Sequence, residues 1–295
     1  MDFEIPQDLK MIQGLVRDFV NDQIKPLERD ILGRAADLSD AQISLPAETE
    51  EKLIKLANEI GLWGINIPEE VGGAGLGTLC ICLVEEELAQ TIVPFNFGDV
   101  TPILFECREE QKEKYLLPAL NRQKQAYFAL MEPGKKASAS SLDYFALVFA
   151  TTGKNGDRNR VSCFLVDRDT PGFSVSGGEK KTGWQTQLRE PLLLTFKECP
   201  VPEANILGEE GKAFHLGKKW LPARRVIRGA RCVGVSQRLL EEASTQVQAF
   251  SSFGQFIAKR TNIEAALADI AVLIYACRLM VYEAAAKADA GEPIR

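Results

Sequence analysis

The chain has 295 residues, 45% hydrophobic and 26% charged, with 35 basic against 41 acidic side chains for a net charge of −6. At about 150 residues per domain this length makes two domains or three, enough to bury a core without disulfides or a structural metal. The acidic balance excludes nucleic acid as the main partner, because phosphate contacts need a concentrated basic surface, and the composition excludes a disordered chain.

The N-terminus, MDFEIPQDLK, lacks the basic start and apolar core of a signal peptide and is too acidic for a transit peptide, which makes a cytoplasmic protein the expectation. Leu9, Ile12, Val16, Phe19 and Val20 recur at helical steps and predict one buried face. Leu53, Leu56 and Ile60 predict another helix, ended by Gly61. Further helices are expected over 79–91 and 109–116, the second with Glu109, Glu113, Gln111 and Lys114 on a solvated face. After Gln125 the runs become short and β-branched or aromatic: 144–151, 161–167, 173–176 and 192–196, punctuated by glycines and Pro191. They predict a small antiparallel β domain with a hairpin loop at 154–160.

Helix returns near Gly211. Ile263, Leu267, Ile270, Ile274, Cys277 and Val281, spaced 4-3-4-3-4, predict a continuous seam facing a partner helix, as in an antiparallel bundle. Two long helices offer that seam too little partner surface, so something else must cover it. No apolar run approaches the roughly 18 residues of a membrane span. The seven cysteines, at 80, 82, 107, 163, 199, 232 and 277, contain no CxxC and read as buried free thiols. Cys80 and Cys82 fall on different faces of their helix. The expected fold is multidomain α+β: a helical domain over 1–124, a shortened β domain over 125–205 and an incomplete helical bundle over 206–295.

Four segments invite a chemical reading. PEEVGGAGLG at 68–77 is neither a P-loop nor a dinucleotide fingerprint, so a plain loop is its default. Glu132, in MEPG, is either an acid/base group or part of a turn. His215 is the only histidine and has no nucleophile motif with it. Lys218, Lys219, Arg224, Arg225, Arg228 and Arg231 put three arginines on one helical face, which suits a phosphate-bearing ligand, an acidic partner segment or plain solvent. No residue set suggests a metal site.

Taken with EEQKEKYLLP at 109–118, AYFALMEPG at 126–134, GW at 183–184, VPEANILGEEGKAF at 201–214, GARCVGVSQRLLEEA at 229–243 and ADIAVLIYACRLMVYEAA at 268–285, the glycine segment makes the chain resemble the acyl-CoA dehydrogenase family over nearly its whole length. The resemblance implies a helical domain, a β domain and a four-helix bundle. It implies FAD-dependent α,β-dehydrogenation of an acyl-CoA thioester, with an electron-transfer flavoprotein as acceptor and oligomers formed through the C-terminal helices. By the same resemblance Phe128, Ala129, Leu130 and Met131 meet the flavin, Phe253 touches the cofactor, and Arg225 contacts the acyl-CoA.

Several positions depart from the family pattern. KKASASS (135–141) runs directly into LDYFALVFATT where the family has two further strands, and Met131 replaces a threonine. Phe250 stands in place of an arginine that reaches FAD phosphates, and Thr261 in place of a glutamine. The last two bundle helices, where most members keep the catalytic glutamate, are absent; Arg224 occupies the alternative position for that base. No catalytic residue is therefore assigned. Two other readings stand beside the enzyme: an inactive member serving as an interaction or scaffold subunit, and an incomplete reading frame of a dehydrogenase.

Overall fold

A computed structural model describes residues 4–36, 45–130, 137–138, 143–155, 158–177, 191–252 and 255–294. The chain divides into two compact units. One comprises Met1–Leu32, Leu45–Phe97 and Pro222–Arg295, and the other Gly33–Ser44 and Gly98–Leu221.

In the first unit α1 (Gln7–Phe19) runs through a π-helical turn (Val20–Ile24) and a 3-10 turn (Lys25–Leu27) into α2 (Glu28–Ala36). Val16, Phe19, Val20 and Ile24 are its buried stripe. Phe19, Phe95 and Phe97 pack as a mutual trio with ring centroids 5.5–5.9 Å apart. After α3 (Ala47–Glu59), Gly61 turns the chain with φ +74°, as its sequence position predicts.

At the centre lies α4 (Thr78–Leu88), in which Cys80 and every residue from Cys82 to Leu88 are buried. A helix with no polar face must be surrounded. For that reason Cys80 and Cys82 are both buried although they point in different directions. Three of the buried residues are consecutive carboxylates, Glu85, Glu86 and Glu87, only 7%, 3% and 2% exposed. Successive side chains on an α-helix turn by about 100°, so the three fan toward three neighbours. Arg231 of α7 (Ala213–Ala249) pairs with Glu85 at 3.2 Å. On α8 (Thr261–Asp289), Arg278 Nε donates to Glu86 Oε1 at 2.7 Å and the Tyr282 hydroxyl donates to Oε2 at 2.8 Å. Arg17 Nη2 and Gln13 Nε2 of α1 donate to Glu87 Oε1 at 2.7 and 2.9 Å. The Glu87 hydrogen bond raises the Arg17 pKa.

Helix α8 closes the unit at its far end. Asp289 accepts hydrogen bonds from the amides of Thr78 (2.5 Å) and Leu79 (2.9 Å), so a carboxylate distant in sequence caps the N-terminus of α4. The residue before that helix is Gly77, where a Cβ would stand 2.6 Å from the same carboxylate. Cys82, Val226, Ala230 and Ala285 form the apolar contact of the three helices. The predicted seam turns only partly inward: Ile274 is buried and Val281 half-buried, whereas Ile270 and Cys277 are exposed. The packed face of α8 lies to one side of the seam because Arg278 and Tyr282 are drawn to Glu86. By length and mean hydropathy α8 is also long and apolar enough to cross a membrane, which a search for unbroken apolar runs misses. Its charged and capping contacts to α4 are those of a bundle helix.

The second unit carries two sheets, ordered β1-β3-β4-β7 and β2-β6-β5. The strands are β1 (Lys124–Leu130), β2 (Ala137–Ser138), β3 (Asp143–Asn155), β4 (Arg158–Asp167), β5 (Phe173–Gly177), β6 (Pro191–Phe196) and β7 (Ile206–Leu207). The expected hairpin joins β3 to β4 and is tighter than 154–160, with Asn155 opposite Arg158. The expectation of a purely antiparallel domain fails at β1, which pairs in parallel with β3. Between them the chain visits β2 in the other sheet, and such a crossover brings the next strand back in the same direction. Ala146, Val148 and Val166 of the first sheet pack against Phe173, Leu194 and Phe196 of the second, where the Phe173 and Phe196 rings stack at 4.8 Å.

On the opposite face of the first sheet sits the helical segment α5 (Glu109–Gln111), a π-helical turn (Lys112–Leu116) and α6 (Leu117–Leu120). Of the expected solvated face, Glu109, Glu113 and Lys114 are exposed, but Gln111 is buried, drawn inward by two backbone carbonyls. Tyr115 lies 4.9 Å from the Phe145 ring and donates to Asp167 at 2.9 Å, and burial pushes its hydroxyl up to about 12. Gln111 Nε2 donates to the carbonyls of Ala204 and Ile206.

Cys80, Cys82, Cys107 and Cys163 are buried, as predicted, and burial raises their pKa values to about 11 or 12. Cys232 and Cys277 are exposed, against the prediction, because they lie on the outward surfaces of α7 and α8. A thiol reagent at neutral pH is therefore expected to label Cys232 and Cys277 promptly, and the four buried thiols only after denaturant is added. Peptide mapping of the labelled protein checks this.

Candidate functional site

Strand β1 is an edge strand. One side pairs with β3, Phe128 opposite Leu147 and Ala129 opposite Val148, and no strand pairs with its other side among the described residues. An open edge leaves alternate backbone N–H and C=O groups without a sheet partner. The KQAYFAL alternation divides the side chains between the faces. Ala129 packs toward the second sheet, and Phe128 lies on the other face with its ring nearly parallel to that of Phe149, centroids 6.3 Å apart. Both residues are half-buried. Phe128, Ala129 and Leu130 are thus brought together on one polar strand edge with an aromatic face beside it, an arrangement that fits a flat heterocycle with a hydrogen-bonding rim. Met131, Glu132 and Phe253 lie outside the described residues.

Arg225 belongs to the first unit, on α7 just after Pro222, and is exposed together with Arg224 and Arg228. The basic face is not uniform. Arg231 is taken up by Glu85, so the acidic partner expected for these arginines is, at that position, a buried carboxylate of the same chain. A guanidinium keeps its charge at any working pH and offers planar, forked donors, which suits Arg225 to a phosphate or carbonyl ligand. Phe250 follows α7 and is 58% exposed, and Thr261 opens α8. His215 is exposed. No group of three or more His, Cys, Asp or Glu side chains among the described residues is placed to hold a metal ion.

The glycine segment has a structural job. Pro68 leads into a 3-10 turn (Glu69–Val71), Gly72 adopts φ +89°, and the Gly73 and Gly75 amides donate to the carbonyls of Pro68 and Ile67. A Cβ at Gly73 would lie 2.1 Å from the Ile67 carbonyl oxygen, so the loop folds onto its own backbone. Sequence reasoning did not single out Glu85–Glu87 or Asp289. The available signal was three acids in LCICLVEEEL, a helix without room for a solvated side.

A family model described as acyl-CoA dehydrogenase, N-terminal domain, matches residues 6–123, and one described as acyl-CoA dehydrogenase, C-terminal domain, matches 214–295. An acyl-CoA dehydrogenase of Bacillus subtilis is 31% identical over 95% of this chain and 79% of its own. Butyryl-CoA dehydrogenase from Megasphaera elsdenii superposes with a TM-score of 0.76 at 26% identity, covering 100% of this chain and 82% of that one. An acyl-CoA dehydrogenase of Bacillus anthracis complexed with FAD superposes with a TM-score of 0.75 at 26% identity, covering 96% and 51%. Sequence motifs, fold and relatives agree, and the chain belongs to the acyl-CoA dehydrogenase family.

Proposed function

We propose that the chain acts as an FAD-dependent acyl-CoA dehydrogenase, removing hydrogen from the α and β carbons of an acyl-CoA thioester. The observation that carries this reading is the family match at both ends of the chain, together with the open β1 edge between them. Bound FAD would supply the hydride acceptor. The edge at Phe128, Ala129 and Leu130 would hold and orient the flavin rim through backbone groups, and on the resemblance Met131 and Phe253 would add cofactor contacts. Arg225 would receive the acyl-CoA, its charge meeting a carbonyl or phosphate oxygen of the thioester ligand. An electron-transfer flavoprotein is the proposed electron acceptor, on the resemblance. The base for the α-proton is not among the residues assigned, since Arg224 has the wrong charge for it.

The test is spectroscopic. The purified chain is given excess FAD and desalted, and its visible absorption is recorded. A retained flavin band that bleaches with an acyl-CoA is the expected result. A protein that emerges colourless overturns the proposal, and a retained band that no acyl-CoA bleaches removes the dehydrogenase activity while leaving the cofactor site.

A further inference from the structure

On the face of the first sheet turned away from the second, β3 presents Phe145, Leu147 and Phe149 in alternation. Phe145 and Leu147 are fully buried, the first against Tyr115, whereas Phe149 is only half-buried. The cover on that face therefore gives out at Phe149, next to the open edge of β1. Phe128 stands on the same face of the edge strand. The register sets it opposite Leu147 and two residues short of Phe149, whose ring lies within 9° of parallel to its own at 6.3 Å. The two rings are held unequally. Phe149 belongs to an interior strand, paired on one side with β1 and on the other with β4, where the fully buried Cys163 is opposite it. Phe128 has a paired strand on one side only, among the described residues. A phenyl ring so placed can turn toward its open side, and the parallel ring of Phe149 is the flat surface that fixes its plane.

We propose, resting on the flavin-binding reading above, that Phe149 is a positioning residue for the cofactor. It holds the Phe128 ring parallel to its own, and through Phe128 it sets the plane in which a flavin ring lies against β1. Phe149 itself need not touch the flavin. The side of β1 is settled by Ala129, which packs toward the second sheet and leaves the Phe128 side for a ligand. A flat heteroaromatic ligand is the kind that responds to such a device, because contact between aromatic rings depends on their mutual tilt.

FAD titration of the purified chain in a double-mutant cycle tests it, with affinity and the visible circular dichroism of the bound flavin as readouts. Phe149→Ala should weaken FAD binding by about tenfold, the upper size of an aromatic pair's contribution, and alter the flavin dichroism. Phe149→Tyr keeps the ring and should behave as wild type. Phe149→Leu fills the space without a flat face and should fail as Phe149→Ala does. In a chain already carrying Phe128→Ala, removing the Phe149 ring should cost nothing further, since the ring it orients is gone. Far-UV circular dichroism confirms that each variant is folded, and Phe149→Leu completes the cycle if Phe149→Ala is not. Wild-type FAD binding that neither Phe149→Ala nor Phe149→Leu weakens overturns the proposal alone. So does a loss that persists undiminished in the Phe128→Ala background. A wild-type chain that binds no FAD overturns the flavin reading itself, and the proposal with it.

Discussion

Glu86→Ala is expected to lower the stability of the helical unit by about 3 kcal/mol or more, the usual cost of removing one partner from a buried ion pair. The carboxylate is 3% exposed and receives both Arg278 and Tyr282. Without it a half-buried guanidinium loses its counter-charge, and the Tyr282 hydroxyl, whose pKa burial already raises, loses its acceptor. Glu86→Gln retains an acceptor but no charge and should fall between the two. Glu113→Ala, on the exposed face of the 112–116 turn, should change stability by no more than about 0.5 kcal/mol. Urea denaturation followed by helical circular dichroism measures all three. A wild-type midpoint for Glu86→Ala would show that the fan of carboxylates does not hold α4 in place.

The second large effect comes from two glycines on one helix, with opposite signs. In an α-helix Gly→Ala ordinarily stabilises by up to about 1 kcal/mol. At Gly217 of α7 a Cβ would meet nothing within 4 Å, so Gly217→Ala should raise the melting temperature. At Gly234 of the same helix the Cβ would stand 2.1 Å from the Glu86 carbonyl oxygen and 2.9 Å from the Ala89 Cβ. Neither the α4 backbone nor a methyl group can swing aside, so α7 must move off α4. Gly234→Ala should therefore destabilise by about 2 kcal/mol despite its better propensity. Differential scanning calorimetry of the two variants side by side decides it, and a stabilised Gly234→Ala would mean that α4 and α7 are not in backbone contact.

The helices and most strands were legible in the sequence because their signals are local. Val16, Phe19 and Val20 state a period, and Gly61 states a stop. The parallel pairing of β1 with β3 was not legible, since it depends on where the chain travels between Leu130 and Asp143. The packed face of α8 was misplaced by the 4-3-4-3-4 rule, which counts apolar residues and gives no weight to Arg278 and Tyr282 reaching for Glu86. The basic run at 218–231 announced an anion without saying whose, and for Arg231 it is Glu85. Of the site, the β1 segment was legible through its motif, and the exposure of its edge came only from the sheet order.

The cap on α4 has a consequence for how the protein is made. The helical unit is discontinuous, and its central helix, complete at Leu88, takes its N-terminal cap from Asp289 and two of its three counter-charges from Arg231 and Arg278. At roughly 5–20 residues per second, about ten seconds or more of translation separate α4 from the last of these partners. The strands of the other unit, which end at Leu207, have all been synthesised by then. The nascent chain thus carries three adjacent glutamates lacking most of their partners through most of its synthesis, and they keep α4 hydrated until α8 leaves the ribosome and the helical unit can close.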